Sequence, residues 1–425
     1  MTDTLLLDLV EYLDASPSHW HATLASAERL RAAGFDELRL EQTWDQVPAK
    51  GFVTRGAALI GWSRAQGAKA TSALRIVGAH TDSPGLRVKP RPDVGGCGWK
   101  QLSVEVYGGA LLNSWLDRDL GVAGQVITRE GVRHLAAREA IARVPQLAIH
   151  LDRDVNERGL ILDKHSHLTP VWGIGRAVAG EFNAWVADRI SANPGDITGW
   201  DLCLFDVTPA RRLGADGDLL AAGRLDNQLS CWAATSALCS TGSGTGTDGT
   251  AVVALFDHEE VGSESSAGAA GPLLEHVLER LALANGATRG DYLTQLAASS
   301  CISADNAHSV HPNYPERHEA GHRPVVNQGP AIKLNHNQRY ATTAAGSAML
   351  QRVFEAANVP WQLFVSRNNM PCGTTIGPMT ATRLGIETVD VGVPQLSMHS
   401  ARELCGTKDP IWLQQALTTY LVGAY

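Results

Sequence analysis

No apolar run in the 425-residue sequence approaches the roughly 20 residues that a bilayer-spanning helix needs, so no membrane partner is expected. A block of Lys and Arg is also missing, and the formal charge is -8. Nucleic acid and anionic lipid therefore find no electrostatic foothold, and neither is expected as a partner. The seven cysteines (Cys97, Cys203, Cys231, Cys239, Cys301, Cys372, Cys405) are odd in number and contain no CxxC pair. They read as reduced packing residues, which suits a cytoplasmic location. GxSxG does not occur at a strand-to-helix elbow, so a serine nucleophile is unsupported. The opening MTDTLLLDLVEYLD interleaves acidic residues with leucines and has no basic segment, the pattern of an amphipathic helix rather than a signal peptide.

The composition is globular, 44% hydrophobic and 19% charged, and the length allows two or three domains. A second helical pattern, SHWHATLASAERLRAAGF, stops at Gly34, a residue that tolerates the left-handed cap. Four apolar runs, ALRIVGAH, TAVVALFDHEE, SSCISADN and ETVDVGVPQ, suit strands buried on both faces. Helical stretches lie between them, after Asp226 and from Pro272 to Ala284, so the core is expected to be an α/β sheet. From about Pro90 to Ala221 the pattern changes: SVEVYGG alternates, and GQVITREGVRHL predicts two strands around Glu130-Gly131. This block reads as a β-rich insertion. Ser240 to Thr250 is Gly/Ser/Thr-rich and reads as a flexible loop.

Chemistry-bearing residues gather where the apolar runs end. One run ends at Phe256 and releases Asp257, His258, Glu259 and Glu260; another places His80 at its tip with Asp82 two residues on. A carboxylate beside a histidine can take its second ring N–H and orient it as a metal ligand. Asp305 ends a third run, Asp226 precedes a helix, and His399 follows a fourth strand-like run. Ligands collect at the carboxyl ends of strands in open α/β sheets, and this inventory suits two divalent ions sharing one carboxylate. For Asp257 to Glu260 alone the alternative is a solvated acidic loop, and a lone His-x-Asp is a weak signal. The stretch HSVHPNYPERHEAGH, with His308, His311, His318 and His322, lacks the helix-borne arrangement of an HExxH zinc site and reads as surface or supporting histidines. The eleven tryptophans are scattered and read as core residues.

Taken together, GAHTDSPGLRVKP, WLDRDLGVAG, LDNQLSC, DHEEVGSESSAGA, HPNYPERHEAGHRP, IKLNHNQRYA, MPCGTTIGPMTATRLG and QLSMHS resemble the M18 (aspartyl aminopeptidase) family, in order and over nearly the whole chain. The resemblance implies a mixed central sheet flanked by helices, zinc-peptidase-like, formed by residues 1–89 and 222–425. Residues 90–221 would be the inserted β-rich dimerisation domain, and dimers would assemble into a dodecamer. It also implies two divalent ions, zinc with manganese or cobalt as alternatives. One is held by His80, Asp226 and Asp305, the other by Asp226, Glu260 and His399. Glu259 is implied as general base, Asp82 as partner of His80, and His150 as a residue serving a neighbouring subunit's site. Lys333 matches the position that recognises an acidic substrate side chain. Gly85 departs from the Cys of some relatives and puts no ligand in doubt. Peptides with N-terminal Asp or Glu are thus the expected substrates. A two-metal carboxypeptidase or amidohydrolase would share the ligands, and a metal-stabilised assembly without activity would have no need of an unliganded Glu259.

Overall fold

The computed structural model describes residues 2–241 and 249–425, so most of the Gly/Ser/Thr-rich loop lies outside the described residues. Helices Thr2–Ala15 and His19–Ala32 open the chain, the second capped by the Ser18 hydroxyl and ended before Gly34, whose φ is +80°. The four apolar runs all enter one nine-stranded mixed sheet. At its centre Thr250–Phe256, Leu74–His80, Ser300–Ala304 and Glu387–Gly392 are parallel neighbours. Side chains alternate across the sheet, as strand geometry requires. Ala251, Val253 and Leu255 join a core cluster on one face, while Val252, Ala254 and Phe256 join the cluster on the other. The first cluster is closed by the opening helices together with Leu225–Cys239, Ala344–Ala356 and Asp409–Val422. The second is closed by Leu273–Ala284, Arg289–Ala297 and Ile376–Leu384. The fold is therefore the expected mixed sheet flanked by helices.

Leu225–Cys239 is buried nearly all round, its polar residues included, and its Trp232 is completely buried. A separate six-stranded antiparallel sheet contains Gly85–Gly96, Trp99–Tyr107, Leu120–Thr128, Gly131–Ala142, Val171–Ile174 and Ile197–Asp206. Its hairpin pairs Thr128 with Gly131 across Arg129-Glu130, one residue before the expected turn. It has its own apolar cluster, built around Phe182 and Leu202.

The fourth apolar run does not form a single strand. Glu387–Gly392 belongs to the large sheet, whereas Pro394–Leu396 joins a five-stranded sheet with Arg211–Leu213, Leu219–Ala222, Glu403–Gly406 and Ala307–His308. The chain leaves the large sheet at Gly392, where a Cβ would lie 2.0 Å from the Asp305 carbonyl oxygen. Only glycine admits so close an approach of two backbones.

Candidate active site

Parallel register brings the site residues to one edge of the central strands. Phe256 pairs with His80, so the Glu259-Glu260 turn leaves the sheet beside the His80 ring. Asp305 follows the neighbouring Ser300–Ala304 strand, with its N–H donating to the Val391 carbonyl. Asp226 enters from the start of the buried Leu225–Cys239 helix. His399 arrives through the five-stranded sheet, with φ +67°; such positive values are sterically costly outside glycine and cluster at functional sites.

Two groups of side chains share Asp226. His80 Nε2 lies 3.6 Å from Asp226 Oδ1 and 3.9 Å from Asp305 Oδ1. His399 Nε2 lies 3.5 Å from both Asp226 Oδ2 and Glu260 Oε2. These gaps exceed hydrogen-bond length but suit ligand atoms around a common ion, which at about 2 Å from a tetrahedral zinc stand about 3.3 Å apart. Within the site Asp226 Oδ1 and Glu260 Oε1 are buried with no hydrogen-bond partner. Buried carboxylate oxygens left bare are costly, and a divalent cation satisfies them. The donor set thus fits zinc. A third grouping, His80 with Glu259 and Glu260, lies within the same radius.

Both histidines are oriented by acceptors that leave Nε2 free. His80 Nδ1 donates to the Asp82 carbonyl at 3.0 Å, and His399 Nδ1 to the Gly109 carbonyl at 3.1 Å. The Asp82 carboxylate, fully buried, accepts the backbone N–H groups of Glu259 and Glu260, each at 3.1 Å. Glu403 performs the same service on the other side, accepting from the N–H of Asp226 at 2.9 Å and of His399 at 2.8 Å.

Burial governs the electrostatics. It pushes the Glu259 carboxyl up to about 7, opposed by His80 and reinforced by Asp305, Asp82 and Asp226. Glu260 is raised for the same primary reason, against the pull of His399. For His399 burial works downward, but Asp226 and then Glu260 reverse it and raise the imidazole to about 10. Burial also opposes ionisation of Asp305, yet Lys333 and then His80 hold it down at about 2. Carboxylates crowded out of water in this way are suited to a bound cation, which supplies the missing positive charge.

The model of the family described as aminopeptidase I zinc metalloprotease (M18) matches residues 12–421. The chain belongs to the M18 family. A probable M18 family aminopeptidase 2 of Streptomyces coelicolor is 51% identical over 97% of this chain and 96% of its own length. Its Mycobacterium leprae counterpart is 46% identical, with 97% of each chain covered. Among solved structures, one from the complex of Ape4 and Nbr1 superposes with a TM-score of 0.96 at 33% identity, covering 100% of this chain and 86% of that one. The prApe1 crystal structure gives 0.92 at 28% identity, covering 99% and 94%. This chain is accordingly an M18 aminopeptidase, a member of a zinc metalloprotease family.

Two further residues named from the sequence are not among the clustered His and carboxylate groups: Lys333 borders Asp305, and His150 lies away from them. Lys333, on the Ala331–Leu334 strand, is 2% exposed, with Nζ 3.7 Å from Asp305 Oδ2, 3.2 Å from the Asn306 carbonyl and 4.9 Å from the Tyr340 ring centre. Its ammonium is partnered before any substrate arrives. His150 lies in the exposed Ile149–Leu151 turn and meets none of the clustered side chains.

The letters His318-Glu319-Ala320-Gly321-His322 fit HExxH, but the segment is turn and coil. His318 Nε2 accepts from the His311 N–H and His322 Nδ1 pairs with Glu319, so these rings are satisfied locally. Glu403 was missed from the sequence: its partner Asp226 is brought to it by folding alone. Tyr107 was read only as part of an alternating strand, yet its hydroxyl donates to Asp82 Oδ2 at 2.7 Å. The cysteines are all free, and Cys231, Cys301 and Cys405 are buried as packing residues. Among the described residues, no helix is long and apolar enough to cross a membrane.

Proposed function

We propose that this chain is a two-metal aminopeptidase that removes single residues, preferentially Asp or Glu, from peptide N-termini. His80, Asp226 and Asp305 hold one cation and Asp226, Glu260 and His399 the other. The observation that carries this reading is the pair of histidine–carboxylate groups meeting at Asp226, with buried oxygens left bare between them. Zinc is the proposed metal, and carboxylate-rich sites of this kind also accept manganese or cobalt. Two bound cations would polarise the scissile carbonyl and make a water molecule more acidic.

The remaining work falls to the protein's own groups. Glu259, whose N–H is fixed by Asp82, takes the water's proton and returns it to the leaving amine, the work of a general acid–base group held beside the proposed cations. Lys333 supplies positive charge for an acidic substrate side chain. Tyr340, beneath its ammonium, also lines a cavity of about 210 Å³ shared with His308, Arg317, Phe364 and Arg367. That lining holds two guanidinium groups against one carboxylate, Glu319, and the excess positive charge favours a carboxylate-bearing residue.

Residues 90–221 are proposed as the dimerisation unit inserted between the catalytic segments 1–89 and 222–425, with dimers building a dodecamer in the cytoplasm. The solved yeast mApe1 dodecamer, 27% identical with a TM-score of 0.84 over 97% of this chain and 95% of that one, supports such an assembly. Leu147, Ile149 and Leu151, exposed by 63%, 46% and 73%, surround His150 with apolar surface of the kind a partner covers. His150 is then carried to a neighbouring subunit's site.

Metal analysis of purified protein, combined with hydrolysis of aminoacyl substrates and their N-acetylated forms, tests the whole reading. Two equivalents of metal, chelator-sensitive cleavage, no cleavage of blocked substrates and an acidic preference are expected. Full activity in metal-free protein would refute it.

A further inference from the structure

Three consecutive residues at the end of one strand of the six-stranded sheet touch both halves of the proposed metal centre. Tyr107 ends the Trp99–Tyr107 strand, and its hydroxyl donates to Asp82 Oδ2 at 2.7 Å. Asp82 Oδ1 in turn faces His80 Nδ1 at 3.4 Å. Gly109, two residues on, offers its carbonyl to His399 Nδ1. Between them Gly108, at φ +65°, lies so near the Glu260 turn that a Cβ would sit 3.1 Å from Glu260 Cβ.

The contact continues along the chain. The Leu111 N–H donates to the His399 carbonyl at 2.9 Å, and the Ala401 N–H to Ser114 Oγ at 2.9 Å. Nor is the Tyr107 ring free to move. Arg87 stacks on it at 4.0 Å and is anchored by Asp201, which also receives His19 and Trp20 from the second helix.

We infer that Tyr107-Gly108-Gly109 is a brace through which the six-stranded sheet orients both metal-binding histidines, with Tyr107 as a positioning residue acting through Asp82. The inference rests on the two-metal reading above. At one end Tyr107 holds the carboxylate of Asp82, whose carbonyl accepts from His80 Nδ1 and whose Oδ1 faces the same ring nitrogen; at the other the Gly109 carbonyl itself accepts from His399 Nδ1, so both rings keep Nε2 for the cation. Partners of this kind set ring orientation and ligand basicity, and their loss typically costs about 10–100-fold in metal affinity or activity. Packing alone would not require the hydroxyl: phenylalanine would keep the ring beneath Arg87 and lose only the bond to Asp82.

The test compares zinc binding to metal-free wild type and Tyr107→Phe, by competition with a chromophoric chelator, alongside steady-state kinetics. We expect one zinc equivalent to weaken about 10-fold or more, with kcat falling and KM held. Unchanged zinc affinity and kcat in folded Tyr107→Phe would overturn the brace. If that variant does not accumulate folded, Ser114→Ala reads the other end. It releases the strap to Ala401, and the second equivalent should weaken; wild-type binding there would overturn the inference. Wild-type protein that takes up no zinc would instead sink the two-metal reading itself, so the two failures are distinguishable.

Discussion

Replacing Lys333 by Met removes a buried ammonium while nearly preserving side-chain volume. In the metal-free protein the loss falls on Asp305, which is buried, 3.7 Å from Nζ and held down chiefly by that charge. Breaking one member of a buried pair typically costs about 3–5 kcal/mol, and the Asn306 carbonyl also loses its donor. Metal-free Lys333→Met should therefore be less stable by about 3 kcal/mol or more. A cation beside Asp305 restores the countercharge and no longer has the ammonium to repel it. The variant should consequently gain more stability from zinc than wild type does.

Substrate preference gives a second readout. A charge-assisted contact to a substrate carboxylate is worth about 1.5–3 kcal/mol, roughly one to two decades in rate. Because Asp305 and Asn306 already compensate Lys333, the lower end is expected. Lys333→Met should lower kcat/KM for N-terminal Asp and Glu about tenfold more than for Ala or Leu. Denaturant melts with and without zinc, and kcat/KM for the four substrates, check both parts. An unchanged acidic-to-neutral ratio would remove Lys333 from recognition, and undiminished metal-free stability would refute the buried-pair argument.

Glu259→Gln should retain both metals and lose about 10²–10⁴-fold in kcat, whereas Glu260→Gln should lose metal; equal metal loss in both, measured by elemental analysis, would exchange or void these roles. Mixing inactive His150→Ala subunits with inactive Glu259→Gln subunits should restore part of the activity, and failure despite confirmed subunit exchange would count against a site completed in trans. His21 gives a pH prediction remote from the metal centre. Burial, followed by His134, pushes its imidazole down from 6.5 to about 4. Above pH 6.5 neither folded nor unfolded chain protonates it; between 6.5 and 4 only the unfolded chain does. Stability should thus be lost as pH falls through that window, at up to about 1.4 kcal/mol per pH unit from this group, and His21→Gln should flatten the decline in melts at pH 7 and pH 5.

The sequence exposed His80, Glu259, Glu260 and Asp305 because a polar residue ending an apolar parallel strand is a one-dimensional signal, and parallel register aligns such ends. His399 obeyed a different logic. Its run breaks at Val393 and crosses into another sheet, so the strand-end argument reached a residue that the fold brings beside Asp226 and Glu260, but by an incomplete route. Glu403 and Tyr107 left no local mark, since their value lies in bonds to residues that only folding delivers. The β-rich character of the middle segment was legible from alternation, yet its sheet begins at Gly85, where the short LRVK alternation directly follows the strand-end loop of His80 and gives no separate boundary signal. Lys333 was found by resemblance, and neither its burial nor its pairing could be read from AIKLN.

Gly392 carries a practical consequence for anyone diversifying this enzyme. It contributes no side chain, and would be classed by sequence distance as remote from Asp305. Yet a single added methyl meets the Asp305 carbonyl oxygen at 2.0 Å, a separation that only backbone displacement can relieve. A mutational library should therefore find this position as intolerant as the proposed ligands, with inactive variants arising through a displaced loop rather than lost chemistry.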